Sequence, residues 1–362
     1  MKRFSSLGII TVLILSLVFS LSACSQSSSK SVDTNLSHKE LVAKAKKEGK
    51  VVSVGMPDSW ANWVETWKDI KTNYGINHTD TDMSSAEEIA KFKSDGKNGT
   101  ADIGDVGVSF GPVAVKENLV LPYKTHYWNS IPSWAKDKDG KWVGEYYGTI
   151  AFLTDKKNVK NAPKSWADLM SGKYKVDVFD PTKATESQFG VLAASLANGG
   201  SASNIKPGLA YFKKIAQQGR LSSNKIDVSS LEKGEIDVAV LWDFNALGYR
   251  DQVDRSRFEV TIPKEASASS CYVSVINKNA PHPYSAMLAR DYILSDKGQI
   301  NLAKGYARPI RSDVKLPAEV KNKLLPASEY KTTTHITDYK DWDKTAAALP
   351  QLWQQEVMAN AK

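Results

Sequence analysis

The sequence predicts a two-lobed α/β protein, and three observations carry the prediction. Short apolar runs alternate with helix-period segments over most of the 362 residues. An extended stretch over 143–152 interrupts this alternation, and a second α/β run follows it. The chain then returns toward the first run near Tyr272, so more than one connection joins the two units. Ligands of open α/β sheets sit beyond the carboxyl ends of the strands. Two such sheets facing each other make a cleft that closes by hinge motion.

Ahead of the first strand, Lys2 and Arg3 precede an apolar run over 7–19 that is short for a membrane span. Leu21-Ser22-Ala23-Cys24 closes it and looks like a bacterial lipobox. On that reading 1–23 is a signal peptide, Cys24 becomes the acylated N-terminus and 24–45 is a tether. An ordinary secretory signal with an incidental cysteine is the alternative. The expected product is exported and lipid-anchored to the outer face of the cell membrane, in the Gram-positive manner. With Cys24 acylated, Cys271 has no disulfide partner. The net charge of +8 is interleaved with acids, as in Lys136-Asp137-Lys138-Asp139. Nucleic-acid binding calls for a clustered basic stripe instead, so none is expected.

Residues 50–56 read as the first strand, and Trp60, Trp63, Val64 and Trp67 recur after it at helical spacing. A weaker strand covers 76–81, and Ser84-Ser85-Ala86-Glu87-Glu88 opens a helix with an N-cap and early acids. A third strand covers 101–108, with a helix from Phe110. In the second unit, strands fall at 174–179 and 236–242 and helices at 186–197, 207–217 and 244–252. Strands at 258–263 and 272–277 flank a Ser/Ala-rich connector at 266–270. Helices at 284–294 and 298–304 precede a largely helical tail. Lobe 1 is therefore assigned 46–152 and 266–320, and lobe 2 is assigned 153–265 and 321–362.

Several segments, in this order and spacing, resemble a known family. They include Ala45-Lys46-Lys47-Glu48-Gly49-Lys50-Val51, Thr100-Ala101-Asp102-Ile103 and Pro163-Lys164-Ser165-Trp166-Ala167-Asp168-Leu169. Lys233-Gly234-Glu235-Ile236-Asp237-Val238-Ala239, Leu294-Ser295-Asp296-Lys297-Gly298-Gln299 and Ala307-Arg308-Pro309-Ile310-Arg311 complete the set. The resemblance is to solute-binding lipoproteins of bacterial ABC transporters, with the type II periplasmic-binding-protein fold. Within them it is to the branch that binds ferric iron, thiamine, polyamines and aminophosphonates. It implies a monomeric receptor, not an enzyme, that needs no cofactor. Such a receptor captures a small polar organic solute (thiamine-like, an aminophosphonate, or another phosphorylated or cationic compound). It hands the solute to a membrane permease driven by a cytoplasmic ATPase.

Pro57-Asp58-Ser59-Trp60 lies where the family places its first ligand loop. Asp58 suits an amine, Ser59 an oxyanion and Trp60 an apolar or cationic face. The competing reading makes Asp58 or Ser59 a helix cap and Trp60 part of a buried stripe. Ser84 and Ser85 are either oxyanion donors at a helix start or plain caps. Thr182, Thr185 and Glu186 occupy the matching position of the second lobe, where hydroxyls and acid together suit a zwitterion. Trp242-Asp243 ends the strongest strand of that lobe and suits a stacked, paired cation. Packing under the sheet and helix capping are the alternatives. Tyr272 is a candidate wall residue. Adjacent tyrosines would mark a ferric site at the Trp242 position; Trp242, Asp243, Phe244 and Asn245 stand there, which disfavours iron. Ser269, Ser270 and Tyr272 stand where polyamine binders carry an acid.

Gly107-Val108-Ser109-Phe110-Gly111 matches a nucleophile elbow, which makes an exported esterase the rival class, with His126, His282 or His335 as base. Pro112 and the lack of an oxyanion segment weigh against it, and Ser109 at a strand end is equally placed to hold a solute. Five scattered histidines with no metal-ligand spacing predict no metal site.

Overall fold

The computed structural model describes residues 32–362 apart from 223, 337 and 338. The signal segment and Cys24 lie outside the described residues. The strands are β1 Lys50–Val54, β2 Asn77–Thr81, β3 Ile103–Gly107, β4 Trp142–Asp155, β5 Val176–Val178 and β6 Leu221–Ser222. They continue with β7 Val238–Trp242, β8 Phe258–Thr261, β9 Ser267–Ile276, β10 Arg308–Pro309 and β11 Thr333–His335. Eight of them follow the order β2-β1-β3-β9-β4-β7-β5-β6, a curled sheet in two halves, with β8 and β10 paired to β4 and β11 to β9.

In the first half β1, β2 and β3 run parallel, each followed by a helical segment. In the second half β5, β6 and β7 are parallel in the same way. Between them β4 and β9 run antiparallel over a long register, from Trp142↔Val275 to Thr149↔Ser269. The N-terminal half of β4 pairs with β9. Its C-terminal half pairs with β7, from Ile150↔Trp242 to Thr154↔Val238. β4 and β9 are therefore the two crossing strands between lobes.

β9 begins inside the stretch expected to be a connector. All ten of its residues are buried, and its hydroxyls are satisfied within the sheet. Ser267 Oγ donates to the Ile150 carbonyl at 2.6 Å, and Ser269 Oγ meets Thr149 Oγ1 at 2.6 Å. Small polar residues thus read as a loop in sequence and build a central strand in the fold.

The segment expected as tether up to residue 45 also ends earlier. A helix spans His38–Glu48, opened by a capping box between Ser37 and Glu40. It buries Leu41 and Ala45, and Ser285 Oγ donates to the Ala45 carbonyl at 3.3 Å. At the other end, helix Tyr339–Leu352 turns Trp342 onto Phe189, and Trp353 packs on Phe212. The tail thereby covers the helices of the second half.

One buried cation braces the first half. The Arg290 guanidinium donates to the Tyr123 and Gly140 carbonyls (3.0 and 3.2 Å) and to the Ser274 carbonyl and hydroxyl (2.9 and 3.0 Å). Burial lowers its pKa to about 10, and the Glu145 charge opposes that shift.

Candidate ligand cleft

A cleft of about 860 Å³ opens between the two halves. The loop after β1, Pro57 to Asn62, forms one wall. The facing wall is one side of helix Asp243–Val253, where Asn245, Gly248, Tyr249 and Gln252 recur at helical spacing. Segment 225–229 and the turn at 304–306 complete the lining.

Trp60 is fixed at the centre by a chain of hydrogen bonds. Its indole N–H donates to Tyr146 Oη at 2.6 Å, and the Tyr146 hydroxyl donates to Asp105 Oδ2 at 2.5 Å. Its ring meets Phe244 edge-on at 5.3 Å and Tyr272 at 5.5 Å. Tyr272 in turn stacks on Tyr146 at 5.3 Å, nearly parallel. Four rings from the β1 loop, β4, the β7 exit and β9 thus converge on one point. Trp60 and Phe244 line the cleft and Tyr146 and Tyr272 are buried behind them, so the two lining faces are pre-organised to cover an apolar or cationic group with little ordering cost.

Strain collects at the same place. Among described non-glycine residues with positive φ, Ala61 (47°), Asn62 (61°) and Tyr306 (69°) line the cleft. Each such conformation costs about 1–3 kcal/mol and persists where the surroundings over-determine it. Gly305 explains how they are held: a Cβ there would overlap the Ala61–Asn62 backbone. Asn62 also donates to the Asn301 carbonyl at 2.9 Å.

Charges of both signs line the cleft. Lys225 pairs with Asp227 at 3.1 Å and Lys304 with Glu65 at 2.5 Å. Tyr306 donates to Asp251 Oδ2 at 2.5 Å and ties the 304–306 turn to helix Asp243–Val253. Asp58 and Asp82 are exposed and make no hydrogen bond or ion pair among the described residues. The Asn245 side-chain oxygen is buried without a partner, an acceptor available to a bound solute. Because the Tyr306 bond bridges the cleft, Tyr306→Phe should shift the free protein toward an open form. The expected cost of closure is about 1.5 kcal/mol, seen as a larger radius of gyration in solution scattering. An unchanged scattering profile would remove Tyr306 from the closing contacts.

Of the residues singled out from sequence, Asp58, Ser59 and Trp60 line the cleft and Tyr272 backs Trp60. The others are not among its lining residues. Ser84 is engaged by Glu87 in a capping box, and Ser85 Oγ accepts from the Gly107 N–H at 3.0 Å. Ser109 Oγ accepts from the Trp342 indole at 2.9 Å. The three histidines weighed as its base are engaged elsewhere: His126 at Asp291, His282 at Asp102 and His335 against Trp134 and Tyr147. The Thr182 N–H bonds Asp180 at 2.9 Å. Thr185 Oγ1 is buried without a partner and presses on Gly107, where a Cβ would overlap it.

Glu186 is buried and accepts from the Trp242 N–H at 2.8 Å, while the Trp242 indole donates to Tyr272 at 3.3 Å. Asp243 is buried too. It accepts from the Thr149 and Phe244 amides (2.8 and 3.0 Å) and from Tyr330 Oη (2.6 Å), with Arg308 at 3.7 Å. Phe244, Asn245, Tyr249 and Tyr306 were not picked from sequence. The helical recurrence of 245, 248, 249 and 252 was the available signal.

Buried acids underlie the cleft. Burial pushes Glu186 up to about 8 against the backbone bond from Trp242. Burial and the Glu145 charge raise Asp105. A carboxyl whose folded value lies above its unfolded one favours folding below the ordinary carboxyl range. That contribution is lost as pH rises from about 4.5 toward about 8. Glu186→Gln keeps the acceptor for Trp242 and removes the charge. It should stabilise the protein at pH 8.5, by on the order of 2 kcal/mol, and leave pH 4 stability nearly unchanged. Urea unfolding at the two pH values checks this, and equal effects at both would contradict it.

A family described as bacterial extracellular solute-binding protein matches residues 98–345. The chain belongs to that family. One relative, a putative 2-aminoethylphosphonate-binding periplasmic protein of Salmonella typhi, is 23% identical over 322 residues, covering 82% of this chain and 87% of the relative. The sulfate-binding protein of Salmonella typhimurium is 26% identical over 179 residues, 47% of this chain. There the match spans only about half of the relative's length, 53%. Among solved structures, the periplasmic binding protein AfuA from Actinobacillus pleuropneumoniae, with fructose-6-phosphate bound, superposes with a TM-score of 0.70. That pair shares 16% identity and covers 85% of this chain and 98% of AfuA, a likeness of fold. The binding protein thus shares the two-lobed fold of its structural neighbours. Among its described residues no helix is long and apolar enough to cross a membrane.

Proposed function

We propose that this solute-binding protein captures a small polar organic molecule carrying a cationic or amine-bearing group together with an oxyanion. It delivers that molecule to an ABC permease and its ATPase, and catalyses no reaction. Trp60 and Phe244 in the cleft wall, with Trp60 braced from behind by Tyr146 and Tyr272, are the observation that carries this reading. Exposed acids at Asp58 and Asp82 suit the cationic group, and Lys323 suits the oxyanion. The relatives' 2-aminoethylphosphonate and fructose-6-phosphate fit the same pattern of a polar organic body with an oxyanion. Ferric ion fits poorly. Burial and neighbouring acids push the Tyr146 and Tyr272 phenols up, away from the phenolate a hard trivalent cation needs.

In this reading lobe 1 is 46–152 with 266–320 and lobe 2 is 153–265 with 321–362, acting as a monomer. The run ending Leu21-Ser22-Ala23-Cys24 supports a signal peptide and a lipid anchor at Cys24. Native mass spectrometry of the protein from expression, then a thermal-shift panel, tests the ligand class. The panel holds thiamine and its phosphates, aminophosphonates, sugar phosphates, polyamines and ferric citrate. A ligand at a hundred times its dissociation constant adds about 2.7 kcal/mol. A hit confined to amine-bearing or phosphorylated organics supports the reading. A response to ferric citrate alone, or silence with folded protein, refutes it.

A further inference from the structure

Folding assembles a second cluster whose residues are not among those lining the aromatic cleft. His38 starts helix His38–Glu48, His126 lies in the loop after Tyr123, and Asp291 lies in helix Pro283–Ile293. One donor atom from each comes within 4.8 Å of the other two. His126 Nδ1 is 2.5 Å and His38 Nδ1 3.9 Å from Asp291 Oδ2, and the two rings meet edge-on at 5.5 Å.

The two carboxylate oxygens have different surroundings. Oδ1 is committed to the loop, accepting from Thr125 Oγ1 at 2.7 Å and the His126 amide at 3.1 Å. Oδ2 is directed at the imidazoles and accepts from Tyr123 Oη at 2.9 Å. Asp291 is 1% exposed, whereas the His38 and His126 side chains are 53% and 35% exposed. A buried, loop-anchored carboxylate is thus presented to two imidazoles that solvent can reach. Among the described residues no lysine or arginine forms an ion pair with it.

We infer that His38, His126 and Asp291 form a site for a divalent transition metal of the zinc class. Two imidazole nitrogens and one carboxylate oxygen match zinc-type donors, with water free to take the fourth position. Magnesium and calcium call for more oxygens than the site offers. On binding, the metal replaces the proton of the His126–Asp291 hydrogen bond, which leaves to solvent. Tyr123 remains as a hydrogen-bond donor to the carboxylate, as an outer-shell group does in metal sites. The other histidines offer no rival cluster. His78 stacks on Trp67 at 3.8 Å, His282 bonds Asp102 at 3.0 Å, and His335 packs against aromatic rings. The spacing along the chain conceals the set because its members stand at 38, 126 and 291.

The site would fasten the N-terminal helix to the first lobe, independently of the solute cleft. Titration calorimetry of the tag-free full chain with Zn²⁺, and with Mg²⁺ as control, tests it. The expected result is one saturable Zn²⁺ equivalent and none for Mg²⁺. His38→Ala, at an exposed position, should weaken Zn²⁺ binding at least about tenfold while the protein stays folded. His126→Ala should abolish it. A zinc-dependent rise in unfolding temperature should vanish in both variants. Absence of saturable Zn²⁺ binding to the unaltered protein overturns the inference, as does undiminished binding by a folded His38→Ala protein.

Discussion

Trp60→Ala should weaken binding of the cleft's solute by about 2 kcal/mol, roughly thirtyfold, whatever member of the proposed class it is. The size follows from what the ring does. It is the one aromatic side chain that enters from the β1 loop and touches Phe244 across the cleft. Its N–H fills the Tyr146 oxygen, so truncation removes a stacking face and loosens the neighbouring phenol. Trp60→Phe separates the two contributions. It keeps an apolar face and loses the N–H, and should recover about half of the lost free energy. Calorimetry with the first hit from the thermal-shift panel reads both variants. Wild-type affinity in a folded Trp60→Ala protein would place the solute elsewhere.

Arg290→Met should destabilise the protein by about 3–5 kcal/mol. The guanidinium is fully buried and satisfies three carbonyls and a hydroxyl from three separate chain segments. Methionine fills much of the volume and leaves those acceptors without donors. Glu145 also loses the cation that tempers the burial of its carboxyl, a burial that pushes its pKa up to about 8. Without the cation that carboxyl is driven further toward its neutral form, which restores no donor to the freed carbonyls. Urea unfolding of the variant measures the loss. A change below about 1 kcal/mol would mean that water replaces the guanidinium at little cost.

The cleft-lining loop after β1 was legible because strand, turn and aromatic periodicity occur side by side at 50–67. Trp60 could be placed from that pattern, although the helix itself starts only at Trp63. Ser109 and Asp243 show where such reading loses resolution. Both stand at strand ends, yet their polar atoms meet Trp342 and Tyr330. Those partners are far along the chain, so no local pattern announces them. β9 was partly hidden for the opposite reason, since its serines satisfy one another's neighbours inside a sheet. The far wall of the cleft was legible as a helix, while its cleft-facing side required knowing what stands opposite.

The position of β9 also dictates when the molecule can become whole during synthesis. β3 has β1 on one side, but its other edge waits for residues 272–276. The Asn277 side chain, which donates to the Ala101 carbonyl, is separated from it by 176 positions. Closing so long a loop is slow relative to local helix and strand formation. The first half therefore remains an open-edged intermediate until nearly the whole second half has been made. A chain held in that state keeps an unpaired β-edge, a substrate for holding chaperones and for threading through a narrow channel before it locks.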